Sequence, residues 1–495
     1  MNDTKKFYIT TTLPYVNADP HIGFALELVQ ADALARYYRD ILGQEVFFNT
    51  GTDEHGQKIY QKAKQEGRDP QAYCDEYAAK FRQLIPALGV LEDIRFIRTT
   101  DPHHIRAAQE FWKLCDKNGY IEKKFYKIKY CVGCELEKTE SELVDGRCPL
   151  HPNLELELRE EENYFFKFSA LQDKLLKFYD DNPDFVVPNF RFNEIKQFVK
   201  AGLQDFSISR LKEKMPWGVE VPGDSGHVMY VWFDALVNYI STLGWPDDQG
   251  LFEKFWPGVQ VAGKDNLRQQ SAMWQAMLMA AGLPNSRQVI IHGFITSGGQ
   301  KMSKSLGNVA NPYEILDKLQ QSGLTKEQAT DALRYYLLRE IPTFEDGDYT
   351  WEHFKETYNA NLANGLGNLT SRILKMAVTY EVKINPNVLS FEKIKDEPST
   401  QDYLNSLNNY NLQKATQTIW NRISMMDAFI QANEPFKKIK TDPEKAKSDL
   451  LLLLNDLVRI YFWLKPFLPQ TSGKIWAALK DPKLENIPRL FPRIE

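Results

Sequence analysis

The chain has 495 residues, 43% of them hydrophobic and 26% charged, a composition ordinary for a water-soluble protein of roughly two to four domains. A net charge of −5 excludes a protein that is basic throughout, so nucleic-acid contacts would have to come from local basic patches. The polar N-terminus and the lack of an apolar run of membrane-spanning length argue against a signal peptide or an anchor, and the expectation is a cytoplasmic protein.

Residues 1–115 alternate between β-prone and helical patterns. Phe7 to Leu13 reads as a strand, and Pro20-His21-Ile22-Gly23-Phe24 then opens an amphipathic stretch from Phe24 to Leu42. Strand, loop and helix N-terminus is where backbone N–H groups and the helix dipole accept phosphate. Gly23 lets a nucleotide approach the backbone, and His21 can donate to a phosphate oxygen. Glu45 to Asn49 reads as a second strand, with helical periodicity over Tyr60 to Gln65 and Ala72 to Leu88, the βαβ grammar of a parallel sheet. The loop Thr50-Gly51-Thr52-Asp53-Glu54-His55-Gly56 should face the same crevice as His21, because ligands of open parallel sheets sit beyond the carboxyl ends of the strands. Asp53 there either pairs with an ammonium group or caps the helix that follows.

Residues 116–225 break the pattern. Lys123, Lys124, Lys127 and Lys129 alternate with aromatics, and Cys131-Val132-Gly133-Cys134 is followed by Cys148-Pro149-Leu150-His151. Two ligand pairs at that spacing suit a tetrahedral, fully protein-ligated and therefore structural Zn2+, one per chain. Such binding is worth about 10–16 kcal/mol, enough to order an insertion that lacks a core. Cys74 and Cys115 fall on helical stretches and read as buried and inert.

Sheet grammar returns over residues 226–295. The expected elements are a strand over His227 to Asp234, a helix from Ala235 to Leu243, a strand from Gly258 to Ala262 and the turn Gly263-Lys264-Asp265. A helix from Leu267 to Ala281 and a strand ending at His292-Gly293 complete a second βαβ half, so the insertion interrupts one domain. Trp232, Ala235 and Tyr239 share one helical face, as do Asn266, Gln270 and Trp274; stripes of this kind form core or line a pocket.

Residues 296–348 hold the run Gln300-Lys301-Met302-Ser303-Lys304-Ser305-Leu306-Gly307-Asn308 and two helices between Asn311 and Arg339. Two lysines with neighbouring hydroxyls on a polar loop are either a solvated surface or a grip for a polyphosphate. Residues 349–495 are helical throughout, with Asn359 to Met376, Tyr403 to Ala432, Leu450 to Leu464 and Gln470 to Leu479 reading as a bundle. Asn368 with Arg372, and Phe436 beside Lys437, Lys438 and Lys440, are candidate RNA contacts, the latter equally a hydrated basic helix end.

The two polar loops together resemble the signature pair of the class I aminoacyl-tRNA synthetases, His-Ile-Gly-His and Lys-Met-Ser-Lys-Ser; the second is complete, and Phe24 replaces the last histidine of the first. Within that class the chain is similar to the methionyl-tRNA synthetases. The likeness is carried by Leu13-Pro14-Tyr15, the loop Gly51 to Gly56, the Cys/His insertion, Trp217-Gly218 with Pro222, Trp232-Phe233-Asp234-Ala235 and Gly263-Lys264-Asp265. Residues 116–225 are too few for the editing insertion of the valine, isoleucine and leucine enzymes. The resemblance implies a Rossmann-like α/β catalytic domain split by the zinc knuckle and followed by an all-α anticodon-binding bundle. It also implies an enzyme that activates L-methionine with ATP and Mg2+ and transfers it to tRNA(Met), serving initiation and elongation.

By resemblance His21, Lys301 and Lys304 are catalytic, and ATP is held by Pro20, His21, Gly23, Phe24, Glu27, Gly263, Asp265, His292, Gly293, Lys301, Ser303 and Lys304. Leu13, Tyr15, Asp53, Trp232, Ala235, Leu236, Tyr239, Asn266, Gln270 and Trp274 line the methionine pocket, with Asp53 on the ammonium. Asn368, Arg372 and Phe436 read the anticodon. Leu236, Asn266, Gln270 and Phe436 differ from the residues common in the family. Two rival readings are an RNA-binding or regulatory relative that has lost activation, which Phe24 would suit, and another class I enzyme with a pocket zinc. With the chain ending at Glu495 and no dimerisation module, a monomer is expected.

Overall fold

The structure is a computed structural model that describes residues 5–134, 136–138, 142–302, 308–383, 390–481 and 487–495. Its centre is β1 (Lys6–Thr11), five of whose six residues are buried, as expected of a strand covered on both faces. β2 (Glu45–Thr52) pairs with β1 in parallel, Tyr8 opposite Phe47, and β3 (Arg95–Arg98) pairs with β2. On the other side of β1 lie Val259–Gly263 and then Gln288–His292, also parallel, with Ile9 opposite Val259. The strand order therefore reverses beside β1, the place where doubly wound sheets open a ligand crevice.

Alternation along the strands sorts the core into two layers. Phe7, Ile9, Val259 and Val261 face α1 (Ile22–Arg36) and the helices after residue 310, whereas Tyr8, Phe47, Ala262 and Ile291 face the helix Pro102–Lys117 and the insertion. The insertion carries a four-stranded antiparallel sheet built on Ile121–Cys131 and Glu157–Phe166. It also lends Val186–Val187 to the edge of the central sheet, beside Gln288–His292.

Three expected elements differ. The strand expected over His227 to Asp234 ends at Met229, belongs to a small antiparallel sheet, and gives way to the helix Val231–Ala235. A continuous apolar run buried on all sides does not reveal its period, so strand and helix are not separable there from sequence. The helix expected from Ala235 to Leu243 is interrupted before Asn238–Ser241, where the Asn238 side-chain amide donates to the Ala235 carbonyl at 2.7 Å. The helix expected from Tyr403 to Ala432 is split into Pro398–Asn408 and Leu412–Asn433 by Tyr410 in left-handed backbone (φ 57°), with Asn411 capping the second piece.

The C-terminal helices pack around Tyr403, Trp420, Leu457 and Trp463, and the last residues fold back on the start of this region, Tyr358 Oη donating to the Pro492 carbonyl at 2.6 Å, and on the segment before it, Gln328 Nε2 donating to the Arg489 carbonyl at 2.8 Å. Arg334, fully buried, joins the two regions. It pairs with Asp32 of α1 at 2.7 Å and donates to the carbonyls of Leu88, Pro466 and Phe467. Among the described residues, no helix is long and apolar enough to cross a membrane.

Candidate active site

His21 caps α1: its Nδ1 accepts the Gly23 N–H at 3.1 Å, which leaves Nε2 as the donor at the mouth of the crevice. Phe24 packs edge-on against Phe81 (5.2 Å between centroids) and lies 5.7 Å from the His21 ring. It therefore serves as a prop under the histidine rather than a phosphate donor. Pro20 is buried just before the cap. The N–H of Ile22 donates to the Ala310 carbonyl at 2.9 Å, tying the start of α1 to the chain just beyond the lysine motif. On its other flank the motif is entered by the strand Gln300–Lys301, paired with Ile295–Ser297. Ser303 and Lys304 lie outside the described residues, and for Lys301 the description covers the backbone alone.

Beneath the crevice, Glu27 joins the two halves of the sheet. One carboxylate oxygen accepts both the N–H and the hydroxyl of Thr12 at 2.6 Å, and the other faces His292 Nε2 at 3.0 Å. His292 Nδ1 in turn faces the Gly293 carbonyl at 2.7 Å. Both ring nitrogens thus point at acceptors, an arrangement that only the doubly protonated ring satisfies. Burial opposes the charge, but Glu27, the Gly293 carbonyl and Asp265 outweigh it and raise the His292 pKa.

Gly263 and Asp265 close the end of their strand; a Cβ at Gly263 would come within 2.8 Å of Asp265 Oδ1. Gly293 is required by packing, since a Cβ there would meet the Glu345 carbonyl oxygen at 2.1 Å.

The loop after β2 is held from several sides. Glu54, fully buried, receives a bidentate pair from Arg98 (2.6 and 2.8 Å) and the hydroxyls of Thr52 and Thr100. Asp53, nearly buried, donates its N–H to the Pro14 carbonyl at 2.8 Å and bridges to Tyr15. It does not cap the following helix; Gly56 (φ 109°) precedes Gln57–Gln65.

On the opposite wall Trp232 is half-buried against Tyr230, while Ala235, Leu236 and Tyr239 are buried. Gln270 accepts from Gln260 Nε2 at 2.8 Å, and Asn266 donates to Asp265. Trp274 is fully buried, stacked on Phe111 (5.5 Å) and edge-on to Tyr239 (5.8 Å), so it backs the pocket from the core. Leu13 is half-buried at the loop leaving β1.

Sequence reasoning missed several groups here. Arg210 lies over the rings of Tyr130 and Tyr230, on a cavity of about 340 Å³ that also reaches Trp232, Phe206 and Met273. Asp234 and His104 are fully buried, and Asp234 is approached by both His55 and His104. Isolated histidines at wide separations carry no spacing signal, so no periodicity could have found them.

The cysteine cluster forms as expected. Ligand atoms of Cys131, Cys134, Cys148 and His151 all lie within 4.8 Å of one another, with Cys134 Sγ 3.3 Å from Cys148 Sγ and 3.2 Å from His151 Nδ1. Tetrahedral zinc with bonds of about 2.0–2.3 Å sets ligand edges of about 3.3–3.8 Å, so the donor set and the separations around Cys134 suit that ion, while Cys148 Sγ and His151 Nδ1 stand slightly wider at 4.0 Å. Gly133 is needed here, because a Cβ would fall 2.4 Å from His151 Cγ. Cys74 and Cys115 are buried, and burial raises both thiol pKa values.

In the helical region Asn368 and Arg372 share the helix Asn368–Thr379, and Arg372 pairs with Asp427 at 2.6 Å, a partner the sequence did not suggest. Phe436, 42% exposed, sits on the short helix Pro435–Lys438 with Lys437 near its ring.

A doubly wound sheet with a histidine-capped helix at its switch point defines a class of nucleotide-handling enzyme. Residues 7–156 and 151–374 match the family of class I tRNA synthetases (M), and residues 384–489 match the anticodon-binding domain of methionyl tRNA ligase. The chain is 41% identical to the methionine–tRNA ligase of Thermosynechococcus vestitus, covering 96% of this chain and 90% of the relative. It is 40% identical to that of Thermotoga maritima, over 95% and 75%. The structure is similar to that of Mycobacterium tuberculosis methionyl-tRNA synthetase in complex with methionyl-adenylate, with a TM-score of 0.89, 35% identity, and coverage of 99% of this chain and 100% of that one. The chain belongs to the methionyl-tRNA synthetase family of class I aminoacyl-tRNA synthetases.

Proposed function

We propose that the crevice beside β1 binds ATP and L-methionine side by side, with His21, Lys301 and Lys304 at the phosphates and Asp53 at the ammonium. The chain is an ATP-dependent methionine–tRNA ligase: it activates L-methionine to the adenylate and transfers the methionyl group to tRNA(Met). The observation that carries the placement is the bond from Ile22 N–H to the Ala310 carbonyl, which sets the lysine-motif flank against the histidine-capped helix.

In the first step the methionine carboxylate attacks the α-phosphate and pyrophosphate leaves. No side chain need form a covalent bond, so the protein contributes position, about 7–11 kcal/mol, and charge, about 2.7–4 kcal/mol per well-placed donor. His21 Nε2 donates to a phosphate oxygen, and Lys301 and Lys304 neutralise charge on the leaving group. Mg2+ bound to the triphosphate would share that neutralisation. Asp53 pairs with the ammonium while Trp232, Ala235 and Tyr239 surround the thioether, where each sulfur–aromatic contact contributes about 0.3–1.5 kcal/mol. In the second step the terminal ribose hydroxyl of the tRNA attacks the carbonyl carbon of the adenylate, the bond from that carbon to the phosphate oxygen breaks, and AMP leaves with the methionyl group on the ribose oxygen and the hydroxyl proton released.

Residues 1–115 and 226–295 make the catalytic domain, 116–225 the zinc-bearing insertion, 296–348 the lysine-motif segment and 349–495 the anticodon-binding region. Asn368, Arg372 and Phe436 contact the anticodon, the zinc is structural, and the protein acts as a cytoplasmic monomer. Methionine-dependent ATP–pyrophosphate exchange tests the reading: activity with methionine and not leucine is expected. Lys304→Ala should lower the exchange rate about 100- to 1,000-fold with methionine affinity nearly intact. An unchanged rate would remove Lys304 from the mechanism.

A further inference from the structure

The buried cluster of His55, Asp234 and His104 takes no part in the chemistry above, yet it links the two segments that carry the ends of the proposed amino-acid pocket. Asp234 has no exposure; its Oδ2 is 3.1 Å from His55 Nδ1 and its Oδ1 is 3.7 Å from His104 Nε2. His104 Nδ1 meets Ser241 Oγ at 2.9 Å, and His103 reaches the Ser241 carbonyl from the same helix. The far face of His55 rests edge-on against Trp217 (5.7 Å), whose Nε1 donates to the Glu54 carbonyl at 2.6 Å.

The three members belong to three segments. His55 is two residues past Asp53, on the loop after β2. Asp234 lies between Trp232 and Ala235. His104 belongs to the helix Pro102–Lys117, which packs behind both through Phe111 and Trp112 on Phe233. Arg98 and the Thr52 and Thr100 hydroxyls fix the loop from the β3 side, so the bond from His55 to Asp234 ties a fixed loop to the short helix facing it. Two imidazoles around one buried carboxylate are a poor way to gain stability, because desolvation consumes most of the Coulombic gain. Such a cluster is better suited to fixing a separation.

We propose that Asp234, acting through His55, is a positioning residue that sets the separation between the ammonium anchor at Asp53 and the side-chain pocket at Trp232 and Ala235, and with it the length of amino acid accepted. The inference rests on the reading of Asp53 and Trp232 as the two ends of the methionine pocket. A rigid pocket discriminates one methylene by about 10- to 200-fold, and discrimination of that kind needs the two ends held apart by a brace.

The test is ATP–pyrophosphate exchange by the full chain with four amino acids: methionine, S-methylcysteine (one methylene shorter), ethionine (one longer) and norleucine (equal length, CH2 for sulfur). In His55→Leu the KM for methionine should rise, and both ratios of methionine to its shorter and longer analogues should fall several-fold or more in kcat/KM. The methionine-to-norleucine ratio should stay within twofold. His55→Asn, whose amide nitrogen can stand where Nδ1 does, should restore the length ratios. If His55→Leu does not fold, Asp234→Asn, of equal volume and without the charge, is measured in its place.

A uniform loss across all four amino acids with unchanged length ratios would overturn the proposal and leave the cluster as packing. Asp53→Asn distinguishes loss of the brace from loss of the ammonium anchor. No change in the methionine KM for that variant would sink the pocket reading, and the brace with it. A raised KM there, alongside unchanged length ratios in His55→Leu, would remove the brace alone.

Discussion

Replacing Glu27 by Gln should change the protein's pH dependence more than its architecture. In the native protein Glu27 Oε1 accepts from Thr12 N–H and Oγ1, and Oε2 accepts from His292, whose other nitrogen faces the Gly293 carbonyl. A glutamine can keep its oxygen on Thr12 and turn its amide N–H toward His292 Nε2. The ring then has to be neutral, with its single proton on Nδ1 facing Gly293. Every group is satisfied, but the charge-assisted bond of about 1.5–3 kcal/mol has become a neutral one of about 0.5–1.5 kcal/mol.

The folded-state pKa of His292 is raised above its ordinary value of about 6.5. The native pair therefore contributes its full stability below that value and loses it as pH climbs through the raised pKa. The difference between native protein and Glu27→Gln should be about 1–2 kcal/mol near pH 6 and should shrink as pH rises through the raised pKa. Unfolding transitions of the two proteins followed across that rise, with the His292 resonance titrated by NMR, measure this directly. A difference that is flat or grows with pH, or a His292 pKa unmoved by the substitution, would refute the assignment of the ring as a cation.

Three further outcomes are expected. Gly133→Ala, which places a Cβ 2.4 Å from His151 Cγ, and Cys148→Ser should both lower zinc content well below one per chain, read by metal analysis of purified protein. Arg334→Met should cost about 3–5 kcal/mol, since it empties a buried ion pair with Asp32 and strands the carbonyls of Leu88, Pro466 and Phe467. Because those contacts hold the helical region to α1, tRNA charging should fall further than pyrophosphate exchange. Arg372→Ala should weaken tRNA binding and leave exchange unchanged, whereas Asp427→Ala, which frees Arg372 from its 2.6 Å pair, should alter tRNA affinity in filter binding without affecting ATP.

Much of this site was legible because its signals are local. Strand, glycine and histidine at the start of α1, and paired Cys-x-x-Cys and Cys-x-x-His, each depend on residues a few positions apart, where backbone geometry fixes what meets what. The β-prone runs at β1 and β2, each followed by helical periodicity, were enough for a parallel sheet, because strands joined through helices pair in that way. The period of Val228 to Leu243 was not legible. Buried on every side, that run shows no polar face, and Asn238 breaks the helix through a hydrogen bond that no pattern announces.

What the sequence alone determined, then, is the set of short motifs and the layers they belong to. What only the tertiary structure decided is the company each charged group keeps. Glu27 meets His292, Asp234 meets His55 and His104, and Arg334 meets Asp32, each from a distant part of the chain. The physical reason is that a buried charge must find a partner wherever packing brings one, and packing is a property of the whole core rather than of any stretch of sequence.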